Sequence, residues 1–145
     1  ALLGNFAHPN GLELGRDYFP RQGHDFAHDY LSMSAEDAHD YWQYRADEVG
    51  GVYFVDARRK KSFNQGHIPG ALNIDRYQDY EKIDPELIAK LKLAGMVIVY
   101  CNGGECEDSI FLANDLVYRW QVPADVLAVF EGGMEQWLAA GYPQE

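Results

Sequence analysis

Two cysteines stand five positions apart in the segment Cys101-Asn102-Gly103-Gly104-Glu105-Cys106-Glu107-Asp108-Ser109. The chemistry open to a cysteine is that of its thiolate, a nucleophile whose reactivity follows its local electrostatics. Cys101 directly follows Met96-Val97-Ile98-Val99-Tyr100, an apolar, β-branched run that reads as a buried strand. From Ser109 onward Ile110, Ala113, Leu116, Val117 and Trp120 fall on one helical face, with Asp108 or Ser109 as the N-cap. A thiol between a strand and a helix start sits where open α/β sheets bind ligands, and the unpaired N–H groups of the first helical turn favour its ionised form. Gly103 and Gly104 allow the loop backbone to curl so that several N–H groups converge on one anion. Cys101 is thus the candidate nucleophile, set against the plainer reading of a buried structural thiol.

The elements that must position this loop follow from periodicity. Leu31-Ser32-Met33 reads as a short edge strand. Ser34 opens a helix, with Asp37 in a capping-box position, that runs to Gly50-Gly51. Val52-Tyr53-Phe54-Val55-Asp56 is a core strand, residues 59–65 a loop with a helical turn, and Ala71-Leu72-Asn73-Ile74 a further short strand. Asp84-Pro85-Glu86 starts a helix carrying Leu87, Ile88 and Leu91 and ended by Gly95. After the helix over 109–120, Val126 to Phe130 is a strand, and a last helix holds Met134, Trp137 and Leu138. Alternating strands and helices predict an α/β fold with a parallel sheet covered on both faces.

The 145 residues suffice for one domain with a full core. Residues 1–30, with Pro9, Gly11, Gly15, Pro20 and Gly23, read as an irregular N-terminal extension, and residues 31–145 as the folded domain. A formal net charge of -11 excludes nucleic acid as an expected partner and disfavours an anionic membrane surface. The sole basic run is Arg58-Arg59-Lys60-Lys61. No apolar run is long enough to span a bilayer. Ala1-Leu2-Leu3-Gly4-Asn5-Phe6-Ala7 is compatible with the stub of an apolar segment, so a membrane enters only through an anchor upstream of Ala1. Two cysteines make no disulfide scaffold and leave a soluble domain in either the cytoplasm or the periplasm. His24 and His28, with Asp25 and Asp29, have helical metal-ligand spacing. Their polar, glycine-bearing setting favours solvated side chains, so neither a metal nor a cofactor is expected.

Three motifs then carry a family likeness. The first is Val55-Asp56-Ala57-Arg58 with Phe63-Asn64-Gln65-Gly66-His67-Ile68-Pro69-Gly70-Ala71-Leu72-Asn73-Ile74. The second is Tyr100-Cys101 with its glycine-bearing loop and Ser109. The third is Phe130-Glu131-Gly132-Gly133-Met134-Glu135-Gln136-Trp137 with Gly141-Tyr142-Pro143. In this order they resemble the signatures of a single rhodanese-like domain. That resemblance implies a central parallel sheet of about five strands flanked by helices on both faces. It also implies sulfurtransferase chemistry: Cys101 accepts a sulfane sulfur from a small donor or a persulfide-bearing protein and passes it to a thiol or other acceptor. The loop Asn102 to Ser109 would hold the anionic persulfide by its N–H groups. Asp56, Arg58, Gly66, His67, Pro69, Gly70, Gly132, Gly133 and Trp137 are read as structural: Arg58 as partner of a buried acid, His67 as a hydrogen-bonded turn residue, Trp137 as core.

The loop departs from the family pattern in three ways. Asp108 stands where sulfurtransferase loops commonly carry an arginine. The loop is longer. Glu105 and Glu107 add further negative charge. Like charges about 5 Å apart cost on the order of 3 kcal/mol at an effective dielectric of ~20, so a neutral, persulfide or protein donor is expected over thiosulfate. With no cation in the loop, a phosphatase is not expected. Cys106 is either a neutral loop cysteine or a thiol that resolves an oxidised or persulfidated Cys101 through an intraloop disulfide. Two alternatives to the sulfurtransferase remain: a non-catalytic binding or regulatory module, and a redox switch using Cys101 and Cys106.

Overall fold

In the computed structural model, residues 30–45 and 50–145 are described. The irregular segment over 1–29, with His24, Asp25, His28 and Asp29, lies outside them. Five strands form one sheet, β1 (Leu31–Ser32), β2 (Val52–Asp56), β3 (Leu72–Asn73), β4 (Met96–Tyr100) and β5 (Leu127–Phe130), in the order β1-β5-β4-β2-β3. Every pairing is parallel. Parallel neighbours need crossovers, and the helices α1 (Ala35–Gln43), α2 (Lys60–Gln65), α3 (Pro85–Lys92), α4 (Asp108–Tyr118) and α5 (Gly133–Ala139) occupy them or follow the last strand.

The strand side chains alternate between two cores, as the pleat requires. Val55, Val97, Val99, Leu127 and Val129 face one side, where Ile88 and Leu91 of α3 and Ile110, Leu112, Ala113 and Leu116 of α4 cover them. Phe54, Ile98, Tyr100, Ala128 and Phe130 face the other, under Ala38 of α1 and Met134 and Trp137 of α5. Tyr30, only 2% exposed, joins the first core and donates its hydroxyl to Asn114 Oδ1 at 2.7 Å.

Local signals account for most element ends. Ser34 caps α1 by accepting from Asp37 N, and Asp84 caps α3 by accepting from Glu86 N with Pro85 behind it. Helix α1 stops at Gln43, well before the glycine pair, because Tyr44 N and Arg45 N donate to Tyr41 O and Trp42 O in a tightened last turn. The strand expected from Val126 begins at Leu127, since Ala124–Val126 forms a single 3-10 turn after Pro123. Helix α4 starts one residue earlier than read from the sequence. Glu107, not Asp108 or Ser109, is its N-cap, and makes no side-chain capping bond.

Candidate active site

Strands β4 and β5 end together at the carboxyl edge of the sheet. The register pairs Tyr100 with Phe130, so Cys101 and Glu131 leave adjacent strands side by side. Cys101 continues the β4 alternation into the α4-side core and is 1% exposed. Its Sγ lies 3.8 Å from Ser109 Oγ in the first turn of α4. A hydroxyl and a helix start thus stand beside the sulfur, the setting expected for a stabilised thiolate.

The loop itself differs from an open cradle. Cys101 and Cys106 are joined by a disulfide across a Cα–Cα distance of 6.6 Å. Cys106 therefore has a partner, and the place next to Cys101 Sγ that an added sulfur would take is held by Cys106 Sγ. A turn makes this closure: Cys106 N donates to Gly103 O at 3.2 Å, with Gly103 at φ 107° and Gly104 at φ 63°. Positive φ at two successive residues is cheap only for glycine.

The loop rests on the start of α5. Met134 N donates to Cys101 O at 2.9 Å and Glu135 N to Asn102 O at 2.8 Å. Gly133 is at φ 57°, and a Cβ there would lie 2.6 Å from Gly103 N and 2.8 Å from Asn102 C, while one on Gly103 would strike Gly132 O. Gly103 and Gly133 thus let two backbones touch.

Outside the loop stands a cavity of about 490 Å³, lined by Gly104, Glu105, Cys106, Glu107, Ile110 and Glu131. Cys106 is partly exposed there, while Asn102, Glu105 and Glu107 are exposed. Asp108 is turned aside, accepting from Tyr77 Oη at 2.9 Å. Burial raises the pKa of Glu131, whose Oε2 is buried without a hydrogen-bond partner. No role was assigned to Glu131 from sequence. Its position directly after a strand parallel to β4 was the available signal.

The remaining signature residues brace the site from the far side of β4. Arg58 donates through Nε and Nη2 to Asp56 and through Nη2 to Gly66 O at 2.7 Å, all buried. Burial opposes the Arg58 charge, yet the bond and the charge of Asp56 raise its pKa overall. Tyr100 Oη accepts from Ile68 N at 3.1 Å and is held protonated by burial and by the charge of Asp56. His67 Nδ1 lies 2.8 Å from Phe63 O, Trp42 Nε1 donates to Pro69 O at 2.9 Å, and Glu145 Oε2 accepts from Gly70 N at 2.8 Å. Trp137 is fully buried. Among the described residues no group of three or more His, Cys, Asp or Glu is placed to hold a metal, and no helix is long and apolar enough to cross a membrane.

A parallel five-stranded sheet with a cysteine loop between a central strand and a helix start defines an α/β domain whose candidate site is that loop. The family model for the rhodanese-like domain matches residues 37–140, and the chain belongs to that family. An HTH-type transcriptional regulator, Rv0324, of Mycobacterium tuberculosis is 30% identical over 99 residues, 68% of this chain and 40% of that protein. An uncharacterized protein of Buchnera aphidicola is 28% identical over 93 residues, 63% of this chain and 59% of that one. The chain thus spans less than two thirds of the length of either relative. Among solved structures, RPA3614 of Rhodopseudomonas palustris, described as a protein of unknown function and possible tyrosine phosphatase, has a TM-score of 0.60 at 27% identity, covering 79% of this chain and 83% of that one. A thiosulfate sulfurtransferase of Pseudomonas aeruginosa has a TM-score of 0.52 at 22% identity, covering 79% and 19%, which is a likeness of fold.

Proposed function

We propose that this domain is a sulfur carrier of the sulfurtransferase type with its own resolving thiol. In the reduced protein the Cys101 thiolate attacks the outer sulfur of a persulfide donor. The donor's S–S bond breaks, the donor leaves as a thiolate, and Cys101 becomes a persulfide. An external thiol can then take the outer sulfur and restore Cys101. Alternatively the Cys106 thiolate attacks Cys101 Sγ, the bond to the outer sulfur breaks, and hydrosulfide leaves with the electron pair. Two thiols are oxidised to the Cys101–Cys106 disulfide and one sulfane sulfur is reduced to sulfide.

The observation that carries this reading is the disulfide itself. It places Cys106 Sγ on Cys101 Sγ, the atom such a resolution must attack. The carboxylates of Glu105, Glu107 and Glu131 around Cys106 favour a donor without negative charge. The loop from Cys101 to Ser109 contains no cation for a phosphate, which speaks against phosphatase chemistry.

The test uses reduced protein and an uncharged persulfide donor, followed by intact mass and sulfide release. Wild type is expected to release hydrosulfide and finish two hydrogens lighter. Cys106→Ser is expected to keep one added sulfur on Cys101, and Cys101→Ser to take none. If Cys106→Ser gains no sulfur from any of several donors, the carrier reading falls. The same disulfide also favours a second reading, a thiol redox switch without sulfur transfer, which that outcome would leave standing.

A further inference from the structure

We infer that the oxidised loop is opened at Cys106 rather than Cys101, by a thiol that carries no negative charge. The inference rests on the thiol–disulfide chemistry proposed above and adds which sulfur is attacked and by what class of thiol. A thiolate attacks a disulfide along the S–S axis, from behind the sulfur it will bond. Cys101 is 1% exposed, packed into the α4-side core, and absent from the cavity wall. Cys106 forms part of that wall, and the cavity of about 490 Å³ has room for a small thiol or an extended side chain of a partner protein. The sulfur to be attacked is therefore Cys106 Sγ and the leaving sulfur is Cys101 Sγ.

The leaving side is the one built to take the charge. Cys101 Sγ has Ser109 Oγ at 3.8 Å and the first turn of the eleven-residue helix α4 beside it. The entering thiolate bonds to Cys106 Sγ, the Cys101–Cys106 bond breaks, and its electron pair stays on Cys101. A second thiolate then attacks the incoming group's own sulfur, freeing Cys106 and leaving the two external thiols joined as a disulfide. The entering thiolate must pass Glu105, Glu107 and Glu131, three carboxylate side chains on the same wall. Their field works against a second anionic group on the attacking molecule and in favour of a cationic one.

The test treats the oxidised protein with cysteamine, 2-mercaptoethanol or 3-mercaptopropionate. Each rate is divided by that thiol's rate with a small neutral disulfide, which removes differences in intrinsic reactivity. Samples are quenched with acid, alkylated and mapped by mass. The expected result is the incoming thiol on Cys106 and the alkyl group on Cys101. Cysteamine should exceed 3-mercaptopropionate by on the order of tenfold at low salt. The gap should close toward parity near ~1 M salt, where screening acts within about 3 Å. The double substitution Glu105→Gln with Glu107→Gln should shrink it at low salt. An adduct on Cys101, or equal normalised rates for the cationic and anionic thiols at low salt, overturns the inference while leaving the carrier reading intact. Resistance of the disulfide to all three thiols overturns the inference and the redox cycle together. The carrier step stands or falls separately, on persulfide loading of Cys106→Ser.

Discussion

Gly133 and Gly103 share one space: a Cβ on Gly133 would lie 2.6 Å from the amide nitrogen of Gly103. The last helix and the cysteine loop are therefore in backbone contact, and the loop's shape depends on a residue 32 positions after Cys101. Gly133→Ala adds a methyl where there is no room and forces a side chain into φ 57°. The left-handed conformation alone costs about 1–2 kcal/mol in a non-glycine residue. The expected loss is more than about 2 kcal/mol in urea denaturation, with faster alkylation of Cys106 in the reduced protein as the loop lifts. Unchanged stability would mean that the loop moves freely off α5.

Ser109 is expected to act on the thiolate, not on the fold. A hydrogen bond to a charged group contributes roughly 1.5 kcal/mol or more, about tenfold in a rate that follows thiolate population. Ser109→Ala should slow alkylation of Cys101 in reduced protein by roughly tenfold at neutral pH, with Tm nearly unchanged. The effect should disappear at a pH high enough to ionise the thiol fully.

The Asp56–Arg58 pair tests the brace behind the site. Both side chains are buried, at 0% and 9% exposure. Removing one partner leaves the other charge buried alone, at a cost of about 3–5 kcal/mol. Arg58→Ala should lose about that much in chemical denaturation, and Arg58→Lys should recover only part, because one ammonium cannot span Asp56 and Gly66 O in the same fork.

Glu131 supplies a pH dependence with a definite sign. Burial raises its folded pKa above the unfolded value. Between the two values the folded chain holds a proton that the unfolded chain has released. Its stability contribution is therefore complete below the unfolded pKa and is lost as pH rises through the folded one. Glu131→Gln stays neutral throughout. It should melt higher than wild type at neutral pH, with the difference shrinking to nothing below the ordinary glutamate range. A difference that grows on acidification would contradict this.

The architecture was legible from residue order. β-branched runs marked β2, β4 and β5, while Ser34 and Asp84 marked two helix starts, because hydrophobic periodicity and capping are local properties. The same logic placed Cys101 at the carboxyl end of β4 and Arg58 beside an acid. It misjudged the starts of α4 and β5 by one residue each, the first because Glu107 caps without a side-chain bond and the second because a 3-10 turn takes Val126.

The amino-acid sequence by itself determined a parallel α/β domain of the rhodanese-like family with a thiol loop at its sheet edge, since strand pattern, glycine positions and signature residues are written along the chain. Only the tertiary structure decided that Cys106 closes onto Cys101, that Gly103 and Gly133 seat the loop on α5, and that Glu131 stands at its mouth. Those facts depend on which backbones touch and which atoms remain open to water once β4, β5, α4 and α5 have packed. Contact and exposure arise between segments, so neither the five-residue spacing of the cysteines nor the composition of their loop encodes them alone.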